Sequence, residues 1–324
     1  MYCPRVCCRP RSAPCSIAAP ALEETALLRL LESPRVLFWV PTLIWASTWH
    51  VILYQLAETP PLNAVGWRFL LAGLVLLGVA IARGERWLLN RRWHGWLLLT
   101  GVVQYSINYW GVYEAERHIP SGLVAVLFSL MVFGNALSGW WLFAQPVTHR
   151  FLVAAACGVL GVVLIFWPEV VATGARPNAA LGLAVGLLAV VMACAGNALT
   201  LSLTRRGVPL MPLLGWGMVY GALVLLAVAA AQGNLSAIGH SVPWWSSLLY
   251  LTLFGTVVAF FVYFRLAQRV GPARAAMTGV MIPPIALAIS AVLEGWRPSA
   301  LSVSGIVLCL GSVFVATRTP KRAD

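Results

Sequence analysis

The sequence predicts an all-α polytopic membrane protein, with ten transmembrane helices arranged as two inverted five-helix repeats. Three observations carry that prediction. First, 60% of the residues are hydrophobic and only 10% charged. Apolar runs of about 18 to 23 residues recur along the chain, long enough to cross a bilayer as helices. Second, Gly66 to Ala80, GWRFLLAGLVLLGVA, returns 149 residues later as GWGMVYGALVLLAVA, Gly215 to Ala229, with eight of fifteen positions identical. The paired Gly-Trp openings weigh more than the leucines, because leucine-rich helices match by composition alone. Ala115 and Pro120 also find Ala267 and Pro272 at an offset of 152, as Pro146 finds Pro298. Third, each copy holds an odd number of spans, so the second must enter the membrane from the opposite side. Repeats of that kind meet near the midplane of transporters, around a site exposed alternately to each face.

The expected spans are 37–56, 64–82, 96–115, 120–143, 150–167, 179–203, 211–231, 244–264, 275–293 and 300–317. They divide the chain into a disordered cytoplasmic tail and pre-helix segment (1–36), a first repeat (37–167), an extracytoplasmic linker (168–180), a second repeat (181–317) and a cytoplasmic tail (318–324). The net charge of +12 would suggest a nucleic-acid partner for a soluble chain,. Here eighteen of the 22 basic residues fall on segments assigned to the cytoplasm. Arg117, Arg176 and Arg297 lie outside, and Arg68 lies within the second span. This is the positive-inside asymmetry, so both termini are expected in the cytoplasm and no nucleic acid is needed. The lipid bilayer is the partner that the composition demands.

In the tail, Cys3, Cys7, Cys8 and Cys15 match no ordinary zinc spacing and have no histidine nearby,. Cys157, Cys194 and Cys309 stand singly in separate spans and are expected to pack,. No metal and no cofactor are expected.

The first span, LFWVPTLIWASTWHVILYQL, has more polar and aromatic chemistry than anchoring requires. Trp45, Thr48, Trp49 and Ile52 share a face at i, i+3, i+4 and i+7, and Ser47, His50 and Tyr54 form a neighbouring stripe,. Tryptophans one and two turns inside the interface can line a cavity and stack on a solute, or pack against other helices. His50, the one histidine within an expected span, can relay protons or sit neutral beside a carbonyl. Arg68 is expected about one turn from the outer end of the second span, where it can snorkel. Anchoring or helix pairing is its expected role, and contact with a substrate carboxylate is the alternative.

The third span presents Gln104, Asn108, Gly111 and Ala115 on one face, with Tyr105 and Tyr109 beside it,. Amides in hydrocarbon bond across helices or line a pore. The fourth span opens at Pro120 and brings Ser129 near the midplane, with Asn135 deeper,. Asn197 and Thr200 share a face in the sixth span, where Gly196 leaves room. The eighth sets Thr252, Thr256, Ala259 and Tyr263 on one face. In the ninth, Pro283-Pro284 must interrupt the backbone ladder, by a kink or by a break bordering a cavity,. The expected wall is thus Trp45, Thr48, Trp49, His50, Gln104, Tyr105, Asn108, Ser129, Asn197, Thr200, Thr252, Thr256, Tyr263 and Pro283.

TLIWAS in the first span, FLLAGLVLL after Gly66-Trp67-Arg68, SGLVAVLFSL, and the stretch from VGPARAAMTGVMIPPIAL to EGWRPSALSVSGIVLCLG resemble the drug/metabolite transporter superfamily, EamA-like branch. The resemblance runs over about 37–317. It implies two inverted five-helix repeats, a central cavity lined mainly by spans 1, 3, 4, 6, 8 and 9, and export of small metabolites such as amino acids. Two positions depart from the family pattern. Trp45-Ala46 stands where Trp-Gly is common, and Phe143-Ala144-Gln145 lacks a glutamate that Glu294 supplies in the second copy.

Glu58, Glu114, Glu116, Glu169 and Glu294 all fall at or beyond the outer ends of spans, so no acid lies deep. A buried carboxylate is the natural device for exchanging cationic drugs for protons, which argues against multidrug efflux. An aromatic, hydroxyl and amide wall suits a neutral or zwitterionic small molecule. The expected activity is secondary active export across a bacterial inner membrane, with proton coupling open and no oligomeric state specified. The bacterial assignment leans on the family and on 21 arginines against one lysine. Nucleotide-sugar or sugar-phosphate exchange would need more basic residues facing the cavity. A non-transporting membrane protein is the alternative of another class. An enzyme is not expected, since no HExxH, GxSxG or P-loop pattern occurs,.

Overall fold

The computed structural model describes residues 33–119, 121–144, 146–173, 178–293 and 299–317. The amino-terminal tail as far as residue 32, Pro120, Gln145, the centre of the linker, Glu294, Arg297, Pro298 and the carboxy-terminal tail lie outside them. Among the described residues all regular structure is helical.

The amino-terminal half contains α1 (Pro34–Leu56), α2 (Pro61–Ala82), α3 (Arg91–Thr100), the π-helix π1 (Gly101–Ile107), α4 (Asn108–Glu116), α5 (Ser121–Ser129), α6 (Met131–Phe143) and α7 (His149–Thr173). The carboxy-terminal half contains α8 (Ala179–Arg205), α9 (Leu210–Ala231), α10 (Val242–Thr252), the π-helix π2 (Leu253–Val258), α11 (Ala259–Val270), α12 (Pro272–Ala275), α13 (Met277–Leu293) and α14 (Ala300–Thr317). Helix starts follow local chemistry. Ser33 caps α1 by accepting from the Val36 amide at 3.3 Å, and prolines open α1, α2 and α12, where a missing amide costs nothing,.

Each half contains one long helical run with a π segment inside it. π1 and π2 begin 152 residues apart, the offset that relates Pro120 to Pro272. A π turn carries an extra residue, rewires the hydrogen-bond ladder and recurs at functional sites. Each half also contains a run interrupted for a single residue. Leu130 separates α5 from α6, and Ala276 separates α12 from α13. The expected interruption at Pro283-Pro284 therefore lies elsewhere: α13 continues through both prolines, and the break falls just after Gly271-Pro272. Gly271 takes φ +88°, a conformation that only glycine adopts without strain, and ends α11 there,.

The duplicated stretches pack on one another as α2 against α9. They cross where Gly73 meets Gly215, so tightly that a Cβ on Gly73 would lie 2.8 Å from the Gly215 carbonyl oxygen,. α7 and α14 pair likewise, a Cβ on Gly161 falling 2.7 Å from the Gly305 carbonyl oxygen.

Among the described residues, five helical runs are long and apolar enough to cross a membrane: Pro34–Leu56, Pro61–Ala82, Ala180–Arg205, Leu210–Ala231 and Val242–Val270. Leu127–Leu142, His149–Ile165 and Ala300–Ser312 are shorter apolar helices. Ten were expected. Amides and tyrosines dilute the apolarity of residues 91–116, and the count covers the described residues alone.

Candidate functional site

The expected face of α1 forms one wall of a cavity: Trp45, Thr48, Trp49 and Ile52 all line it. Gln104 of π1 and Asn108, Tyr109 and Val112 of α4 form a second wall. Ala125 and Phe128 of α5 and Met131 of α6 approach from the first broken run. Ala276, Thr278, Gly279 and Ile282 approach from the second. Ala193 and Asn197 of α8, with Phe260 and Tyr263 of α11, close the remaining side, and Arg68 of α2 completes the lining. Both interrupted runs therefore border the cavity at their breaks.

Aromatic rings set its shape. Trp45 stacks edge-on against Phe260 and tilts over Tyr263, with centroids 5.4 and 5.3 Å apart, and Trp49 meets Phe128 edge-on at 5.8 Å,. An amide chain crosses between the halves. Gln104 Nε2 donates to Asn197 Oδ1 at 3.3 Å, and Asn197 Nδ2 donates to Asn135 Oδ1 at 3.2 Å and to the Tyr263 hydroxyl at 3.4 Å. Gly196 makes this possible, because any Cβ there would collide with the Gln104 amide. Asn108 is turned by its own backbone: its Nδ2 donates to the Gln104 carbonyl at 3.1 Å, which leaves its Oδ1 without a partner among the described residues. Gln104 Oε1 and Trp49 Nε1 are also buried without partners there. Such buried orphan atoms call for a partner that the described residues do not supply.

Arg68 is the departure from expectation. It does not snorkel; it is 1% exposed, because α2 begins at Pro61 and carries it two turns into the helix. Its Nε donates to Thr256 Oγ1 at 2.8 Å, one terminal nitrogen to the Tyr113 hydroxyl at 3.2 Å and the other to the Gly255 carbonyl at 3.3 Å. The rings of Phe69 and Tyr109 lie 5.3 and 5.1 Å from its central carbon,. Gly255 belongs to π2, and the absence of a Cβ there makes room for the guanidinium.

Seven of the fourteen expected wall residues thus meet around one cavity: Trp45, Thr48, Trp49, Gln104, Asn108, Asn197 and Tyr263. Thr256 stands behind Arg68 as its acceptor, and Tyr105 is fully buried against Phe69 and Phe260. Ser129, Thr200 and Thr252 are buried away from the lining, and Pro283 lies in the body of α13. His50 is partly exposed beside Tyr54, 3.5 Å from its hydroxyl. Sequence reasoning missed Gln55, which accepts from the Tyr113 hydroxyl at 2.8 Å and extends the chain from Arg68. Glu116 closes α4, at the helix end expected for it, and both its carboxylate oxygens are buried without a partner among the described residues, although the residue as a whole is partly exposed.

An all-helical membrane protein whose broken and π-distorted helices surround a central aromatic and amide cavity has the makings of a solute carrier. The EamA-like transporter family model matches residues 35–167 and again residues 180–318. The chain belongs to the EamA-like transporter family, and it is a multi-pass membrane protein of the drug/metabolite transporter type. It is similar to Protein PecM of Dickeya dadantii (strain 3937), 26% identical over 283 residues that cover 86% of this chain and 90% of that one. It is also similar to a protein described as a probable amino-acid metabolite efflux pump in Salmonella typhimurium (strain LT2), 23% identical over 280 residues, 84% of this chain and 90% of that one. A crystal structure 17% identical in sequence superposes with a TM-score of 0.71, covering 88% of this chain and 96% of that one, a likeness of fold alone.

Proposed function

We propose that the chain is a secondary active transporter that exports amino acids or related neutral and zwitterionic metabolites across a bacterial inner membrane by alternating access. On this reading ten spans form two inverted repeats, 37–167 and 181–317, joined by an extracytoplasmic linker with both termini in the cytoplasm. One observation carries the proposal. The cavity lies between the two halves, is walled by both interrupted runs, and has amide and indole atoms without a partner among the described residues, set among aromatic faces,. Such a wall binds a solute by stacking and a few oriented hydrogen bonds, and rocking of one half against the other would carry it across. The similarity to a probable amino-acid metabolite efflux pump favours amino acids within that class.

The test is flux of an amino-acid panel in proteoliposomes, with and without a proton gradient. Selective, saturable movement that Asn108→Ala abolishes at unchanged protein level is the expected result. Movement of sugar phosphates in place of amino acids, or of nothing under any gradient, would reject it.

A further inference from the structure

The geometry points to Arg68 as the carboxylate-binding residue of the cavity, so that the transported solute is a zwitterion whose free carboxylate is required for recognition. This inference rests on the transport reading and narrows its substrate class. Arg68 is buried, lines the cavity, and makes no ion pair among the described residues; its acceptors are a hydroxyl, a phenol and a peptide carbonyl, all neutral. Those contacts use three of five guanidinium N–H groups and leave two for a ligand. A permanently charged side chain in a low-dielectric setting without a hydrogen-bonded counter-ion is costly, and an anion delivered by the solute removes that cost.

The nearby carboxylate that feels this charge, Glu116, forms no hydrogen bond or ion pair with it. Complementarity extends to the other end of the ligand. Asn108 Oδ1, fixed by the bond from its amide nitrogen to a backbone carbonyl, is an acceptor waiting for a donor such as an ammonium group. The rings of Trp45, Tyr109 and Phe260 line the same cavity and offer π faces and apolar contact,. One guanidinium balances one carboxylate, whereas a phosphate monoester brings nearly two charges.

The test is ligand binding to the purified full-length protein in detergent, followed by tryptophan fluorescence. Amino acids are compared with their carboxamides, in which the carboxylate is replaced by a neutral isostere. The expected result is that the wild type binds the free acid at least about tenfold more tightly than the carboxamide, the scale of a charge-assisted hydrogen bond. Arg68→Gln should erase that preference, while Arg68→Lys should retain part of it. Equal affinity of the wild type for acid and carboxamide, or no binding of any carboxylate solute, would overturn the assignment. If Arg68→Gln does not fold, the wild-type comparison decides alone. Binding with the expected preference but no flux would sink the carrier reading and leave the anchor standing; flux of acid and carboxamide alike would do the reverse.

Discussion

Trp45 and Arg68 share one acceptor: the Gly255 carbonyl takes the indole N–H at 3.1 Å and a guanidinium N–H at 3.3 Å. Two amino-terminal helices are thereby fastened to π2 of the carboxy-terminal half through a single peptide group. Trp45→Phe removes one of the two donors and keeps an aromatic ring, so it should cost about 1 kcal/mol. Trp45→Ala also loses the contacts with Phe260 and Tyr263 and should cost about 3 to 5 kcal/mol,. Unfolding in detergent measures both. Equal losses would mean that the ring contributes nothing beyond its N–H.

The helix crossing of the duplicated stretches predicts a contrast between two glycines on α2. A Cβ at Gly73 would meet the Gly215 carbonyl at 2.8 Å and the Val219 amide nitrogen at 2.9 Å, both backbone atoms that cannot step aside. Gly73→Ala should destabilise by about 1 to 3 kcal/mol. Gly78 has nothing within 4 Å, and Gly78→Ala should be neutral or stabilising by up to about 1 kcal/mol,. Comparison of the two melting temperatures checks the pair.

On the loop side, Glu58 predicts a dependence on pH. Its carboxylate accepts from the Ser241 hydroxyl and from the amides of His240 and Ser241 at 2.9 and 3.2 Å, joining the α1–α2 turn to the capping residue of α10. The Ser241 hydroxyl bond is the largest cause holding its pKa below the ordinary carboxylate value, with the His240 amide next. A depressed folded pKa contributes stability that is present above the unfolded value and lost as pH falls through the folded one. The stability difference between wild type and Glu58→Gln should therefore be constant at neutral pH and shrink on acidification below the ordinary carboxylate range. A difference that persists unchanged in acid would assign the effect to something other than this charge.

Gly196 predicts a variant that disturbs both the packing and the site. Gly196→Ala brings a Cβ to 2.6 Å from the Gln104 Cβ, which is fixed to its helix, as well as into the Gln104 amide, so the helices must part and Gln104 must leave Asn197. Stability should fall by about 1 to 3 kcal/mol, and flux of the protein that remains folded by about tenfold, the worth of one or two oriented hydrogen bonds. Unchanged flux would remove Gln104 from the transport site.

The α1 face was legible because a straight helix obeys the 3.6-residue count: Trp45, Thr48, Trp49 and Ile52 are all on the cavity. The same count held for Gln104 and Asn108 but failed for other residues of the two runs that contain π turns. An extra residue in the turn rotates the helix beyond it, so Thr252 and Thr256 sit behind the wall that Tyr263 reaches, and Tyr109 rather than Tyr105 faces the cavity,. Arg68 pairs helices as expected, but its burial was misread for two reasons. The helix starts at Pro61 rather than 64, and its acceptors come from Gly255 and Thr256, nearly 190 residues away in sequence. No local pattern announces a partner of that kind. Pro283-Pro284 looked like a breaker, yet α13 runs through both, and the break falls at Ala276, one short helix after Gly271 frees the backbone and ends α11.

The central claim is that solute passes through the cavity between the halves, and Gly279 tests it most directly. Gly279 lines the cavity, and a Cβ there would touch only the Phe128 carbonyl oxygen, at an ordinary 3.9 Å. Proteoliposome flux should persist in Gly279→Ala, which fits without strain. In Gly279→Phe, whose ring occupies the space meant for solute, it should fall to background with the protein still folded. Wild-type flux through Gly279→Phe would contradict the account, because no solute could then be using this cavity.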